Sequence, residues 1–375
     1  MITSALRDIY RINLGIRKSE RVLLFNDTIA RDEILSEADA ARRDNLRSLA
    51  SLAAEIGREL CSSLTHCEYP ATRSHGAEPP RKVWELAFGR DTIEALQQER
   101  ILQPLLRKEA REEEIEKVED IVRRYRAHAV HCVIALSNYS TSHTRFRDFL
   151  TRICGCRYAS MPLFDISMLE GSMQVDWKDL AKTTRGLAKV VNSADAIKIK
   201  TPNGSFLSLS KKGRKAIPDT GILTQPGAFG NLPAGEVFLA PIEGSAQGRL
   251  VIEWGPTSQL SSPIMMTIRD GYAVDISGAD EYAAYLQAKL SERRENANIA
   301  ELGIGTNRSA TRPDNILESE KIYGTIHIAL GDNSSFGGKV KTPFHQDFVF
   351  FRPSMTLILR DGSSRNILKL GEFVW

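Results

Sequence analysis

Two histidines and an aspartate in the last quarter of the chain have the types and spacing of metal ligands. His345 and Asp347 stand two residues apart in FHQDF, and His327 precedes them in GTIHIALG. Side chains alternate between the two faces of a β-strand, so His345 and Asp347 share a face if this segment is a strand. A neighbouring strand with His327 adds a third ligand. The spacing predicts a metal site, with structural histidines beside a hairpin as the alternative.

Two glutamates further upstream are candidates for the same site. Glu236 follows a Pro/Gly loop in NLPAGEVFLAP, and Glu301 lies between apolar residues in NIAELGIGTN. Burying an unpaired carboxylate is costly, and a metal ion is one way to offset that cost. A backbone or arginine partner is the other way. The sequence therefore predicts that one set of five residues converges: Glu236, Glu301, His327, His345 and Asp347.

The elements that must position these residues differ between the two halves of the chain. The first half alternates short apolar runs, such as RVLLFND, with long helical segments, a pattern typical of a mostly parallel sheet. The second half has hairpin signals at Asn203-Gly204, Asp270-Gly271 and Asp361-Gly362. We therefore predict an α/β domain over residues 1–175. A β-rich, largely antiparallel domain that carries the metal site is predicted over residues 176–375.

Composition excludes several classes of protein. The 375 residues are 42% hydrophobic and 26% charged, which is typical of a globular protein. A formal net charge of +3 without a dominant basic block argues against a nucleic-acid partner. No apolar run is long enough to span a membrane. The five cysteines and the absence of a secretory signal lead us to expect a cytoplasmic location.

Several segments together resemble a known family. NLPAGEVFLAP, ELGIGTN, EKIYGTIHIALGDNSSFGGK and HQDF occur in that order, after SHT, ASMP and GRKAIPDTGILTQPGAFGNLP. They closely resemble the thermophilic aminopeptidase family, of the aminopeptidase T or leucyl aminopeptidase type. The resemblance implies that the five residues named above bind two divalent ions of zinc, cobalt or manganese. It also implies a homodimer.

The same resemblance implies a hydrolase, namely a metallo-aminopeptidase that removes N-terminal residues from a peptide or small amide. Two ions lower the pKa of a bridging water and polarise the scissile carbonyl. Glu236 or Glu301 is then the candidate base that takes the proton of that water. Four further residues are candidate contacts for the substrate, either for its free amine or for its carboxylate: His143, Glu243, Lys339 and Lys341.

A second resemblance supports a different reaction. GGKVKTPFHQD looks like the corresponding stretch of 2,5-dihydroxypyridine dioxygenase, a non-haem enzyme with one Fe(II) on two histidines and one carboxylate. That enzyme has histidine where this chain has Glu301, and its residues matching Glu236 and His327 are not ligands. GDNSSFGG also lacks the tyrosine that the aminopeptidases carry after the first histidine.

The complete set of five ligands favours the two-metal hydrolase. The alternatives are an iron dioxygenase, another metal-dependent enzyme for a specialised pathway intermediate, and a non-catalytic binding or assembly protein.

Overall fold

The computed structural model describes residues 2–375 and contains two compact units. The first unit comprises Met1–Gln174 and Gly221–Pro233, and the second comprises Val175–Thr220 and Ala234–Trp375. Our predicted boundary near residue 175 separated two continuous segments. In the structure a short later segment rejoins the first unit, because Phe229–Asn231 adds a strand to its sheet.

The first unit is built on a five-stranded sheet in which all neighbouring strands are parallel. Its strands are β1 (Arg21–Thr28), β2 (Ser63–Pro70), β3 (Cys132–Ala135), β4 (Arg157–Ser160) and β8 (Phe229–Asn231). Their spatial order is β2-β1-β3-β4-β8, so the direction of winding reverses at β1. This confirms the predicted α/β architecture.

Seven α-helices accompany this sheet in the described residues. They are α1 (Ile2–Asp8), α2 (Glu37–Leu60), α3 (Arg81–Phe88), α4 (Arg90–Gln98), α5 (Leu102–Leu106), α6 (Glu112–Tyr125) and α7 (Arg145–Asp148). Shorter turns are Ile9–Asn13 and Phe149–Ile153, which are π-helical, and Arg126–His128 and Ile166–Leu169, which are 3₁₀. Helix α2 begins at Glu37 because the Ser36 side chain accepts a hydrogen bond from the Asp39 N–H.

An aromatic core fixes helices α3 and α7 to the sheet. Trp84 stacks on Phe88 with ring centroids 4.9 Å apart, and Phe146 meets the edge of Trp84 at 5.4 Å. Phe25 in β1 reaches the same cluster. Strand β1 is buried along most of its length, and its apolar run VLLF suits a strand that is covered on both faces.

The second unit contains two antiparallel sheets, which confirms the predicted β-rich fold. The larger sheet has the order β12-β11-β10-β6-β5-β16-β17-β18. Its strands are β5 (Ala194–Lys200), β6 (Phe206–Ser210), β10 (Gln247–Trp254), β11 (Gln259–Arg269), β12 (Tyr272–Ser277), β16 (Ser354–Leu359), β17 (Ser364–Lys369) and β18 (Glu372–Phe373). The three Asn-Gly and Asp-Gly signals lie at the predicted hairpin turns of this sheet.

The smaller sheet has the order β15-β14-β13-β9-β7. Its strands are β7 (Ile217–Asp219), β9 (Glu236–Leu239), β13 (Ile299–Gly305), β14 (Ile326–Gly331) and β15 (His345–Phe350). The helices of this unit are α8 (Trp177–Val191), α9 (Glu281–Glu292) and α10 (Ile316–Ser319), with 3₁₀ turns at Arg294–Ala297 and Ser334–Phe336. Among residues 2–375, no helix has the length and apolarity needed to cross a bilayer.

Candidate metal centre

The smaller sheet divides its two faces between the core and the candidate site. Its core face packs with the larger sheet in one apolar cluster, to which it contributes Val237, Leu239, Leu302, Ile304, Ile326, Ile328, Leu330, Phe348 and Phe350. Because strand side chains alternate, the residues between these positions point to the other face. All five predicted ligands lie there: Glu236 in β9, Glu301 in β13, His327 in β14, and His345 and Asp347 in β15.

Small residues on this face leave room for the ligands. Ala329 in β14 is paired with Glu301 on one side and with Asp347 on the other, so the two carboxylates face each other across a methyl group. Gly303 is paired with His327, and a Cβ on Gly303 would lie 1.8 Å from the ring Cε1. Glycine is thus required beside the His327 ring.

The five side chains form two groups of three that share one residue. Glu236, Glu301 and His327 make the inner group, in which all three residues are buried. Glu301, His345 and Asp347 make the outer group, in which His345 and Asp347 are half-buried. Within each group the ligand atoms lie within 4.8 Å of one another. The structure therefore brings together all five residues that the sequence singled out.

The distances within both groups suit a shared metal ion. His327 Nε2 lies 3.3 Å from Glu236 Oε2 and 3.3 Å from Glu301 Oε1. His345 Nε2 lies 3.5 Å from Glu301 Oε2 and 3.4 Å from Asp347 Oδ2. Donors about 2.0–2.1 Å from a tetrahedral ion are separated by about 3.3–3.4 Å. Oε2 of Glu236 is also buried without a hydrogen-bond partner. The residues therefore fit a divalent ion.

A backbone contact orients the imidazole of His345. Its Nδ1 lies 2.8 Å from the carbonyl oxygen of Asp332, to which it donates, so Nε2 is directed at the ligand oxygens. The Asp332 carboxylate in turn accepts hydrogen bonds from the N–H groups of Ser334, at 3.1 Å, and Thr342, at 3.0 Å. These bonds fix the loop between the two histidine strands. Such outer contacts hold a metal ligand in its binding orientation.

Opposing effects set the pKa values of the site residues. Burial disfavours the imidazolium of His345, but Asp347 and Glu301 outweigh it and raise the pKa of His345 to about 10. The pKa of His327 rises to about 9 for the same reason, with Glu236 as the main carboxylate. Burial raises the pKa of Glu301, whereas His345 keeps the pKa of Asp347 low despite burial. A metal ion must therefore displace protons from the imidazoles.

Lys321 and Glu320 also belong to this site, and neither was predicted as a site residue. Lys321 is fully buried, and its Nζ donates to Glu236 Oε1 at 2.6 Å and to Glu320 Oε2 at 2.8 Å. Burial lowers the pKa of Lys321, but the two carboxylates raise it well above its usual range. The signal in the sequence was the Glu-Lys pair of EKIYGTIH, shortly before β14, because a lysine that becomes buried there needs carboxylate partners.

The four candidate substrate contacts occupy different places. Lys339 and Lys341 are exposed on the loop before β15. The Glu243 carboxylate is already engaged, since it accepts hydrogen bonds from the Lys339 N–H at 2.7 Å and from Arg214 at 2.5 Å. His143 is exposed in the turn before α7 of the first unit. Their roles toward a substrate stay predictions.

The fold and this cluster define the class of the protein, which is that of metal-dependent enzymes. A sequence model of the NicX family, described as 2,5-dihydroxypyridine 5,6-dioxygenase, matches residues 164–374. The match covers more than half of the chain and contains both ligand groups. The chain therefore belongs to the NicX family.

A curated relative has the same description. The 2,5-dihydroxypyridine 5,6-dioxygenase of Pseudomonas putida (strain KT2440) is 27% identical over 174 residues. The match covers 42% of this chain and 49% of the relative, so it spans about half the length of that enzyme.

Two solved structures share the fold over the whole chain. The 2,5-dihydroxypyridine dioxygenase from Pseudomonas putida KT2440 has a TM-score of 0.67 and 18% identity, with 100% of this chain and 96% of that chain covered. Wild-type AmpT from Thermus thermophilus has a TM-score of 0.57 and 14% identity, with 100% and 99% covered. Both predicted resemblances are thus present in the fold. The sequence matches favour the dioxygenase, which was the alternative prediction, over the predicted aminopeptidase.

Proposed function

We propose that the protein is a metal-dependent oxygenase that adds dioxygen to a hydroxylated nitrogen heteroaromatic ring, with one divalent ion held by the outer group. The observation that carries the proposal is the difference in access between the two groups. The inner group is buried throughout, whereas His345 and Asp347 are only half-buried. The outer group is therefore the more accessible of the two to a substrate. Membership in the NicX family, described as 2,5-dihydroxypyridine 5,6-dioxygenase, supports this reaction class.

Iron(II) is the ion that we propose first, because the outer group supplies oxygen and imidazole donors that iron(II) and manganese(II) accept. The group has one histidine and two carboxylates, and it therefore differs from the two-histidine, one-carboxylate set common in iron oxygenases. Here the second imidazole, His327, contacts Glu301 Oε1 and orients that ligand. When bound, iron supplies the one-electron chemistry that reactions with dioxygen require.

The surrounding residues would position the substrate. Lys339 and Lys341 are exposed cations on the loop that leads to His345, so they suit an ionised ring hydroxyl or a carboxylate. Glu243 holds this loop through the Lys339 N–H, and we propose a positioning role for it. The substrate role of His143, which lies in the first unit, stays a prediction from the sequence.

The test is oxygen uptake with a panel of hydroxypyridines. Protein loaded anaerobically with Fe(II) is mixed with oxygen and with mono- and dihydroxypyridines, including 2,5-dihydroxypyridine. We expect uptake of one O₂ per substrate and a product heavier by two oxygen atoms. The His345→Ala variant, which lacks an outer ligand, should show no uptake. Absence of uptake over the whole panel would overturn the proposal.

A two-metal amide hydrolase is the second candidate, and one observation favours it. The two oxygens of Glu301 face different imidazoles, at 3.3 Å from His327 and at 3.5 Å from His345. A carboxylate in this position can bridge two ions, as hydrolytic two-metal centres require. Two ions per chain, with cleavage of aminoacyl amides in the presence of zinc, cobalt or manganese, would establish the hydrolase instead. The homodimer that the aminopeptidase resemblance predicts stays a proposal, whichever of the two functions is correct.

A further inference from the structure

Lys321 places a positive charge inside the metal centre. Its side chain is fully buried, and Nζ contacts one oxygen each of Glu236 and Glu320, at 2.6 and 2.8 Å. Removing an ammonium group from water is costly unless carboxylates surround it, so this position depends on the acidic cluster. Since Lys321 holds Oε1 of Glu236, only Oε2 of that residue is left for another cation.

The main chain holds Lys321 in this position. Its N–H donates to the Glu318 carbonyl oxygen at 2.9 Å, and its carbonyl oxygen accepts from the Asn307 N–H at 2.9 Å. The short helix α10 ends two residues before it, and β14 with His327 follows. The backbone is therefore tied on both sides, and the buried side chain has little freedom to leave Glu236.

We propose that the Lys321 ammonium takes the place of a second divalent ion and so limits the centre to one ion per chain. A second ion would have to bind Glu236, Glu301 and His327 in the inner group. It would then share the Glu236 carboxylate with Lys321. Repulsion between like charges is only weakly screened in buried surroundings, so the lysine opposes that ion.

An ion in the outer group shares no ligand with Lys321, so the lysine opposes it less directly. Glu301, His345 and Asp347 would hold that ion, and none of them is a hydrogen-bond partner of Lys321. Within the inner group, Lys321 then neutralises part of the carboxylate charge that a second ion would otherwise neutralise. The inference rests on the metal centre of the proposed function, but it does not depend on the reaction that the centre catalyses.

The number of ions per chain tests the inference directly. Wild-type protein and the Lys321→Met variant are incubated with excess Mn(II), passed through gel filtration and analysed for manganese by mass spectrometry. We expect one ion per chain in the wild type and two in the variant. Lys211→Met is the matched control, because Lys211 is also buried but donates to the Ala194 carbonyl oxygen, at 3.2 Å. It should bind one ion.

A second measurement shows whether the additional ion occupies the inner group. X-ray absorption of the Lys321→Met variant should reveal a metal–metal distance of about 3.5–4 Å. Adding Glu236→Gln to this variant should return the count to one. If Lys321→Met does not fold because Glu236 and Glu320 are left unpaired, the double variant Lys321→Met/Glu320→Gln is used in its place. The double variant removes one positive and one negative charge.

The outcomes separate this inference from the proposed function. One ion per chain in a folded Lys321 variant overturns the inference alone. Two ions in the wild type also overturn it and favour the hydrolase. One ion in the wild type and two in the variant, without oxygen uptake on any hydroxypyridine, supports the inference and overturns the proposed function.

Discussion

Glu301 and Asp347 belong to strands that are not neighbours, and they face each other across Ala329. The pairing of β13 with β14 and of β14 with β15 sets Ala329 directly between them. Ala329 is fully buried, so a larger side chain at this position cannot avoid both carboxylates. The outer group depends on this small residue in the middle strand.

Ala329→Val should therefore separate two ligands without removing either. We expect metal affinity to fall at least tenfold, with overpacking that lowers the free energy of unfolding by about 1–3 kcal/mol. Isothermal titration calorimetry with Mn(II) measures the affinity. The control is Ile328→Val on the core face, which should cost about 0.5–1.5 kcal/mol of stability and leave the affinity unchanged. Equal affinities in the wild type and Ala329→Val would contradict the geometry.

The two histidines should differ in importance if one ion occupies the outer group. His345→Ala removes a ligand, and we expect loss of measurable metal binding. His327→Ala removes a residue that orients Glu301, and loss of such an outer contact weakens metal binding about 10–100-fold. Metal content after dialysis and calorimetric affinity compare the two variants. A loss of one ion from two in each variant would instead indicate a two-metal centre.

Metal binding should become tighter as pH rises. Asp347 and Glu301 outweigh burial to raise the pKa of His345 to about 10, so below that pH an ion must displace a proton from the imidazole. We expect the dissociation constant to fall about tenfold per pH unit between pH 6 and 9. Calorimetry in buffers of different ionisation enthalpy counts the released protons, and release of none would contradict the prediction.

The same pKa has a consequence for the metal-free protein. The folded-state pKa of His345 lies above its unfolded value of about 6.5, so its contribution to stability is fully present below pH 6.5. That contribution is lost as pH rises through about 10. Metal-free protein should therefore unfold more readily at pH 10 than at pH 7, and bound metal should reduce the difference.

Gly303→Ala should disturb His327 while leaving every ligand in place. The added Cβ would lie 1.8 Å from Cε1 and 2.0 Å from Nε2 of the His327 ring, and the buried ring has little space to move. We expect the free energy of unfolding to fall by at least about 1–3 kcal/mol. Thermal unfolding measures this loss. Gly255→Ala, whose Cβ meets its nearest atom at an ordinary 3.4 Å, is the control.

Glu78 should make the first unit less stable as pH rises from about 4.5 to 7. This buried carboxylate accepts hydrogen bonds from the N–H groups of Arg145, at 2.6 Å, and Phe146, at 3.1 Å, at the start of α7. Burial outweighs these bonds and raises the pKa of Glu78 to about 7. The folded state therefore binds a proton that the unfolded state releases, and this contribution is present below pH 4.5 and lost above pH 7.

The difference in stability between pH 4.5 and 7 is at most about 3 kcal/mol from this one group. Denaturant unfolding of wild type and Glu78→Gln at both pH values isolates it, because the glutamine does not titrate. If both proteins show the same change with pH, Glu78 titrates near its ordinary value in the folded state.

Local patterns in the sequence were sufficient to predict most elements around the site. The alternation in HQDF placed His345 and Asp347 on one face of β15, because a strand repeats every two residues. Asp270-Gly271 marked a hairpin because both residues adopt positive φ, at 50° and 78°. Such features depend on neighbours in the chain, and the types of the five candidate ligands could be recognised in the same way.

The tertiary structure decided how these elements meet. The strand order places β13 between β9 and β14, so Glu236 and His327 approach Glu301 from opposite sides. It also brings Lys321 to Glu236, 85 residues away in the chain. Strand order, register and burial arise from contacts between distant segments, which no local pattern determines. The sequence by itself therefore indicated the five candidate ligands, whereas the tertiary structure decided which three of them form the less buried group and which cation lies beside Glu236.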